Sequence, residues 1–127
     1  MSVRSRLVAQ FKRPTGVLGR LAGWVMAHRS SNVRRNLWTI DLLGIEPSDR
    51  VLEVGCGPGV AMATAVERTS NGLVIGIDHS RVMVAQAARR NARALNERRA
   101  QVRHMAVEDV GALSLTFDKV YSANVVT

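Results

Sequence analysis

The sequence predicts an α/β fold, an open parallel sheet with helices on both of its faces and further helices ahead of it. From Val51 the segments run strand, helix, strand, helix, strand, loop, strand, the order that right-handed crossovers turn into a parallel sheet. Val51–Val54 and Leu73–Ile77 are short apolar runs rich in branched residues, as expected of strands buried on both faces. Glycines at 55, 57 and 59 follow the first of them and lead into a helical pattern, which is the form of a tight strand-to-helix turn.

The helices ahead of the sheet come from periodicity. Residues 1–16 are a charged lead-in ending in the turn Pro14-Thr15-Gly16. Val17, Leu18, Leu21, Ala22, Val25 and Met26 recur at helical spacing. Ser31 or Asn32 is placed to cap a second helix with Val33, Leu37, Ile40 and Leu43 inward and Gly44 as its stop. Trp24 and Trp38 fall on this pair and are expected to pack it.

Pro47-Ser48-Asp49 breaks the pattern before the first strand. The first crossover helix is expected over Val60–Glu67, and Asn71-Gly72 turns the chain into the second strand, with Asp78 at its end. Ser80 caps the next helix, where Val82, Val84, Ala85, Ala88, Ala92 and Leu95 face inward and Arg89, Arg90, Arg93 and Arg98 face water. A third strand is expected near Val102–Val107 and a fourth over Phe117–Val126.

Charge is divided unequally. Lys and Arg number 18 against 10 Asp and Glu, a formal net charge of +8. No acid precedes Asp41, whereas Arg4, Arg6, Lys12, Arg13, Arg20, Arg29, Arg34 and Arg35 all do. The basicity therefore belongs to an N-terminal arm, suited to an anionic partner or to a solvated helix face. The single cysteine, Cys56, has no disulfide partner within the chain, which fits a reducing, cytoplasmic setting. Val17–Ala27, interrupted by Arg20, is too short for a membrane span, and no signal-peptide pattern is present. The residues form no metal-ligand spacing, no Ser-His-Asp arrangement and no paired-carboxylate site.

The glycine loop carries the most specific information. A dinucleotide fingerprint, G-x-G-x-x-G or A, would need its last small residue at position 60, which is Val60. A phosphate loop of the G-x-x-x-x-G-K-[ST] type would need a Lys, and none follows. Asp78 stands 23 positions beyond Gly55 at the end of the second strand, where a carboxylate can accept from two adjacent ribose hydroxyls. A helix cap or turn is its alternative role.

Val51-Leu52-Glu53-Val54-Gly55-Cys56-Gly57-Pro58-Gly59 resembles the first motif of the class I S-adenosylmethionine-dependent methyltransferases, a strand with an acid followed by G-x-G-x-G. The resemblance runs from about residue 36 to the C-terminus, and Asp78 is its second matching feature. It implies a Rossmann-like sheet and S-adenosylmethionine as cofactor, held by Glu53, Gly55, Cys56, Gly57, Gly59, Asp78, His79, Val107 and Glu108. Glu53 would position the methionine moiety and His79 would flank the adenine beside Met83. The family often carries an acid after strand three for the adenine amino group; Ala106 stands there, leaving the contact to the backbone of Val107, with Glu108 and Asp109 nearby. Asn124, at the end of strand four, is the candidate for orienting the methyl acceptor.

The resemblance also implies strands beyond the fourth, so the chain is expected to be the N-terminal part of such a domain with its C-terminal strands missing. The expected division is residues 1–46 as basic arm and helical pair and 47–127 as the half-domain that binds the cofactor. The leading expectation is methyl transfer to a small molecule or lipid, with the basic arm meeting an anionic membrane surface and a dimer or partner covering the strand edge. The alternatives are a non-catalytic cofactor-binding module and nucleic-acid binding through the arginine-rich arm with Trp24 and Trp38 stacking on bases.

Overall fold

A computed structural model describes residues 34–123. The expected helix over 17–26, the Ser31 or Asn32 cap, Val33, Trp24 and the end of the fourth strand from Asn124 lie outside the described residues. Residues 34–43 form helix α1, which ends at Gly44 with φ +60, the left-handed stop that favours glycine. Strand β1 is Arg50–Val54, helix α2 is Val60–Arg68 and strand β2 is Leu73–Asp78. Helices α3, Arg81–Arg90, and α4, Ala92–Asn96, lead to strand β3, Ala100–His104, and a 3-10 turn over Val107–Leu113 precedes strand β4, Lys119–Tyr121.

The four strands are parallel in the order β3-β2-β1-β4. Moving from β1 through β2 to β3 steps the chain in one direction, so right-handed crossovers put α2, α3 and α4 on one face of the sheet. The packing agrees, since Ala61, Met62, Ala65 and Val66 of α2 and Ala94 of α4 share a core with Val51, Val74 and Tyr121, joined by Ile40 of α1. The connection from β3 to β4 passes back over β2 and β1 and lies on the opposite face. There Val110, Leu113 and Phe117 pack on Leu52, Ile75 and Ile77.

Several elements differ from expectation. β3 stops at His104 because its neighbour β2 ends opposite it at Asp78; one more bond, from Met105 N to Asp78 O, closes the ladder before the 3-10 turn. The acids of that turn, Glu108 and Asp109, sit at its start, where backbone N–H groups favour negative charge. β4 begins two residues after Phe117 and pairs only with Val51–Glu53. The helix expected to continue past Arg90 is interrupted at Asn91, and its buried stripe is Ala87, Asn91 and Ala94, while Ala85 and Ala92, expected inward, are exposed. On α1, Ile40 is buried, but Leu37 is 42% exposed, Trp38 65% and Leu42 66%. Trp38 therefore does not pack as expected; it lies one helical turn after Arg34 and one before Leu42 along an outward stripe.

Polar ties fix the frame around β1. Arg50 N donates to Asp118 Oδ2 at 2.8 Å and Lys119 pairs with Asp49 at 3.3 Å, binding the starts of β1 and β4. Arg68 of α2 pairs with Asp41 of α1 at 2.8 Å.

Candidate functional site

The C-terminal ends of β1, β2 and β4 meet where the strand order reverses, the position at which open α/β sheets bind ligands. β1 delivers Glu53 and the loop Gly55–Gly59, β2 delivers Asp78 and His79, and β4 delivers Tyr121 and Ser122. Gly55, Gly57 and Gly59 all have positive φ, at 69, 55 and 86, so the loop is a run of left-handed turns that residues with a β-carbon resist.

The third glycine has a purpose that spacing does not reveal. A Cβ on Gly59 would come within 2.8 Å of Asn91 Nδ2 and 2.9 Å of Ala87 Cα. Gly59 therefore allows helix α3 to press against the loop. Asn91 Nδ2 donates to Gly59 O at 3.2 Å and to Ala87 O at 3.0 Å, and Arg90 Nε donates to Pro58 O at 3.2 Å. These bonds pin the loop from behind, and they explain why a helix ends at a buried Asn.

Asp78 is 2% exposed and gathers the site. Its Oδ2 accepts from Gly57 N at 2.9 Å and its Oδ1 from Ser80 N at 2.9 Å. Asp78 thus has the turn role given as its alternative, and it also fastens β2 to the glycine loop. A carboxylate has about four lone-pair directions, so two accepted bonds leave capacity for a ligand. Burial raises its pKa, while the bonds from Ser80 and Gly57 and the nearby imidazoles of His79 and His104 oppose the rise. Ser80 caps α3 as expected, accepting from Met83 N at 3.2 Å.

Glu53 is fully buried. In register it stands between Gly76 of β2 and Tyr121 of β4, and the Tyr121 hydroxyl donates to its Oε1 at 3.2 Å. Burial pushes its carboxyl well above the usual carboxylate range; the Tyr121 bond works against that shift and the charge of Asp78 adds to it. Cys56 is buried next to this pair, its thiol pushed up by burial and then by Glu53 and Asp78. Its side chain occupies the space over Gly76, where a Cβ would meet Cys56 Cβ and Met62 Sδ at 3.0 Å. Cys56 thus fills the core, a poor position for a nucleophile.

His79 follows Asp78, and its Nε2 is buried with no hydrogen-bond partner. Its backbone oxygen lies 2.7 Å from His104 Nε2. A buried ring nitrogen without a partner inside the protein is costly, and this one sits beside the carboxylate that gathers the site. Val107 and Glu108 are exposed at the start of the 3-10 turn that follows β3. Among the described residues, no three His, Cys, Asp or Glu side chains are grouped to hold a metal ion, and no helix is long and apolar enough to cross a membrane.

Glu53, Gly55, Cys56, Gly57, Gly59, Asp78 and His79 thus come together at one edge of the sheet. Asn124 lies outside the described residues. Sequence reasoning did not single out Asn91 or Gly76, and within the end of strand four it chose Asn124 over Tyr121 and Ser122, whose Oγ donates to Val54 O at 2.7 Å. Asn91 carried a readable signal, since Asn is a poor interior helix residue; Tyr121 became significant only once β4 was in register with β1.

A family model described as a methyltransferase domain matches residues 51–127. The uncharacterized methyltransferase YdaC of Bacillus subtilis (strain 168) is 36% identical over 104 residues, covering 82% of this chain and 54% of the relative. The chain spans about half the length of that relative. Among solved structures, magnesium protoporphyrin IX methyltransferase from Synechocystis PCC 6803 with bound SAM superposes with a TM-score of 0.69 at 18% identity, covering 96% of this chain and 62% of that one. The plantazolicin methyltransferase BpumL in complex with SAH gives a TM-score of 0.67 at 14% identity over 94% of this chain and 46% of that one. At such identities the structures establish a shared fold.

Proposed function

Because the chain belongs to the class I S-adenosylmethionine-dependent methyltransferase family, we propose that the edge formed by the Gly55–Gly59 loop, Asp78 and His79 binds S-adenosylmethionine for methyl transfer to a small molecule or lipid. The observation that carries this reading is the Gly57 N to Asp78 Oδ2 bond of 2.9 Å. It unites the motif loop and the downstream acid in one site.

The residues present fit that cofactor. Asp78 retains lone pairs for ribose hydroxyls, and the buried Nε2 of His79 lacks a partner. The carboxyls of Glu53 and Asp78 supply negative charge for a cationic ligand. The backbone N–H of Val107 is the candidate for the adenine edge, with Glu108 beside it. When bound, S-adenosylmethionine supplies a methyl group on a cationic sulfur, already activated toward displacement. The protein's contribution is alignment, and effective-molarity arguments allow about 7–11 kcal/mol from positioning. Positioning can therefore carry methyl transfer without a strong general base. Asn124 is the proposed acceptor-orienting residue.

A lipid acceptor or an anionic membrane surface is favoured by the outward stripe of α1. Trp38 and Leu42 are exposed beside Arg34 and Arg35, and eight basic residues with no acid occupy the first 40 positions. Basic, aromatic helices of this kind lie in membrane interfaces. Calorimetric titration of the folded protein with S-adenosylmethionine and S-adenosylhomocysteine tests the cofactor reading directly.

A further inference from the structure

Beyond the residues of the family motif, the geometry points to Tyr121 as a positioning residue of the cofactor site: its hydroxyl, on the strand beside β1, holds the buried Glu53 carboxyl where it meets the cationic cofactor. The inference rests on the S-adenosylmethionine reading above and specifies how one carboxyl of that site is controlled.

Glu53 and Tyr121 are register partners on adjacent parallel strands, β1 and β4. Their side chains therefore share a sheet face. Tyr121 is 6% exposed and Glu53 fully buried, with the hydroxyl 3.2 Å from Oε1. A buried carboxyl must be either neutral or stabilised by donors and cations. On the other side of Glu53, Gly76 offers no side chain, and the thiol of Cys56 and the thioether of Met62 fill the gap.

Burial raises the pKa of Glu53, Tyr121 on β4 lowers it by donating a hydrogen bond, and Asp78, at the end of β2, raises it by like charge. Cys56 in the loop is itself pushed up by both carboxylates. His79 and His104 act on Asp78. With burial dominating, Glu53 leans toward its neutral form when no cation is bound. A cationic ligand at the end of β1 favours the anion, so binding expels the proton and affinity rises with pH. Without the hydroxyl, Glu53 is harder to ionise and the rise begins at higher pH.

The test compares wild type with Tyr121→Phe for S-adenosylmethionine and for 5′-methylthioadenosine, which has the same nucleoside but neither the sulfonium nor the amino-acid group. Dissociation constants are measured by calorimetry from pH 5 to 9, in buffers of different ionisation enthalpy to count protons. A hydrogen bond to a charged acceptor is worth about tenfold in affinity. Tyr121→Phe is expected to weaken S-adenosylmethionine about tenfold at neutral pH and to move its pH profile up by about one unit, with 5′-methylthioadenosine affinity unchanged. Glu53→Gln is expected to flatten the profile and abolish proton release, and it serves equally if the Phe variant does not fold. An unshifted profile, or equal weakening of both ligands, would overturn the role assigned to Tyr121. A Glu53→Gln protein that retains the wild-type profile would overturn it as well. Wild type that binds neither ligand would instead refute the cofactor reading itself.

Discussion

Replacing Gly59 by Ala separates two reasons for a glycine in the loop. Its φ of +86 lies in the left-handed region, which costs a residue with a Cβ about 1–2 kcal/mol. The added methyl would also stand 2.8 Å from Asn91 Nδ2 and 2.9 Å from Ala87 Cα. The Ala87 atom is backbone, so α3 must move. Overpacking of this kind costs about 1–3 kcal/mol, and the shift stretches the Asn91 bonds to Gly59 O and Ala87 O. Together the expected loss is about 2–5 kcal/mol, a large part of the stability of a small domain. Gly44→Ala is the control, because Gly44 has φ +60 but nothing within 4 Å of the added Cβ. It should lose only the backbone part, about 1–2 kcal/mol. Urea unfolding followed by circular dichroism gives both numbers. If Gly59→Ala loses no more than Gly44→Ala, the close approach of α3 to the loop is wrong.

Two other expectations concern charge. Glu53 titrates higher in the folded protein than in the unfolded chain, chiefly through burial. The folded state therefore holds more protons between the two values, and stability declines as pH rises from about 4.3, the unfolded value, toward the folded one. Glu53→Gln should make urea midpoints flatter from pH 5 to 8, although Asp78, raised in the same sense, preserves part of the slope; unchanged slopes would contradict the burial argument. On α1, the exposed Trp38 should shift its fluorescence to the blue on vesicles containing phosphatidylglycerol, and Arg34→Gln with Arg35→Gln should weaken sedimentation with them at low salt. Equal binding to neutral phosphatidylcholine vesicles, or no binding, removes the anionic membrane surface as a partner.

The motif residues and the succession of strands and helices along the chain were legible because both are local. Alternating φ-permissive glycines after an apolar strand, and an acid closing the next strand, need no tertiary information. Positions fixed by contacts between distant segments were not legible. Ala87 and Ala94 are buried instead of Ala85 and Ala92 because they share one helical stripe with Asn91, which reaches Gly59. Helical spacing alone does not say which stripe of alanines faces inward. β3 ends where its neighbour ends, which depends on register rather than on its own residues. Glu53 looked like an acid in need of a partner; that the partner is Tyr121, 68 positions away, follows from β4 crossing the sheet to lie beside β1.

The central claim is that Asp78 and the glycine loop form one cofactor site. Titration of the folded protein with S-adenosylmethionine, repeated for Asp78→Asn, tests it most directly. Asn has one carbonyl oxygen for the two backbone N–H groups that Asp78 now accepts, and it loses the charge. Saturable one-to-one binding by wild type, weakened at least about tenfold in Asp78→Asn, is the expected result. Absence of binding by folded wild type, or equal affinity in the two proteins, would contradict it.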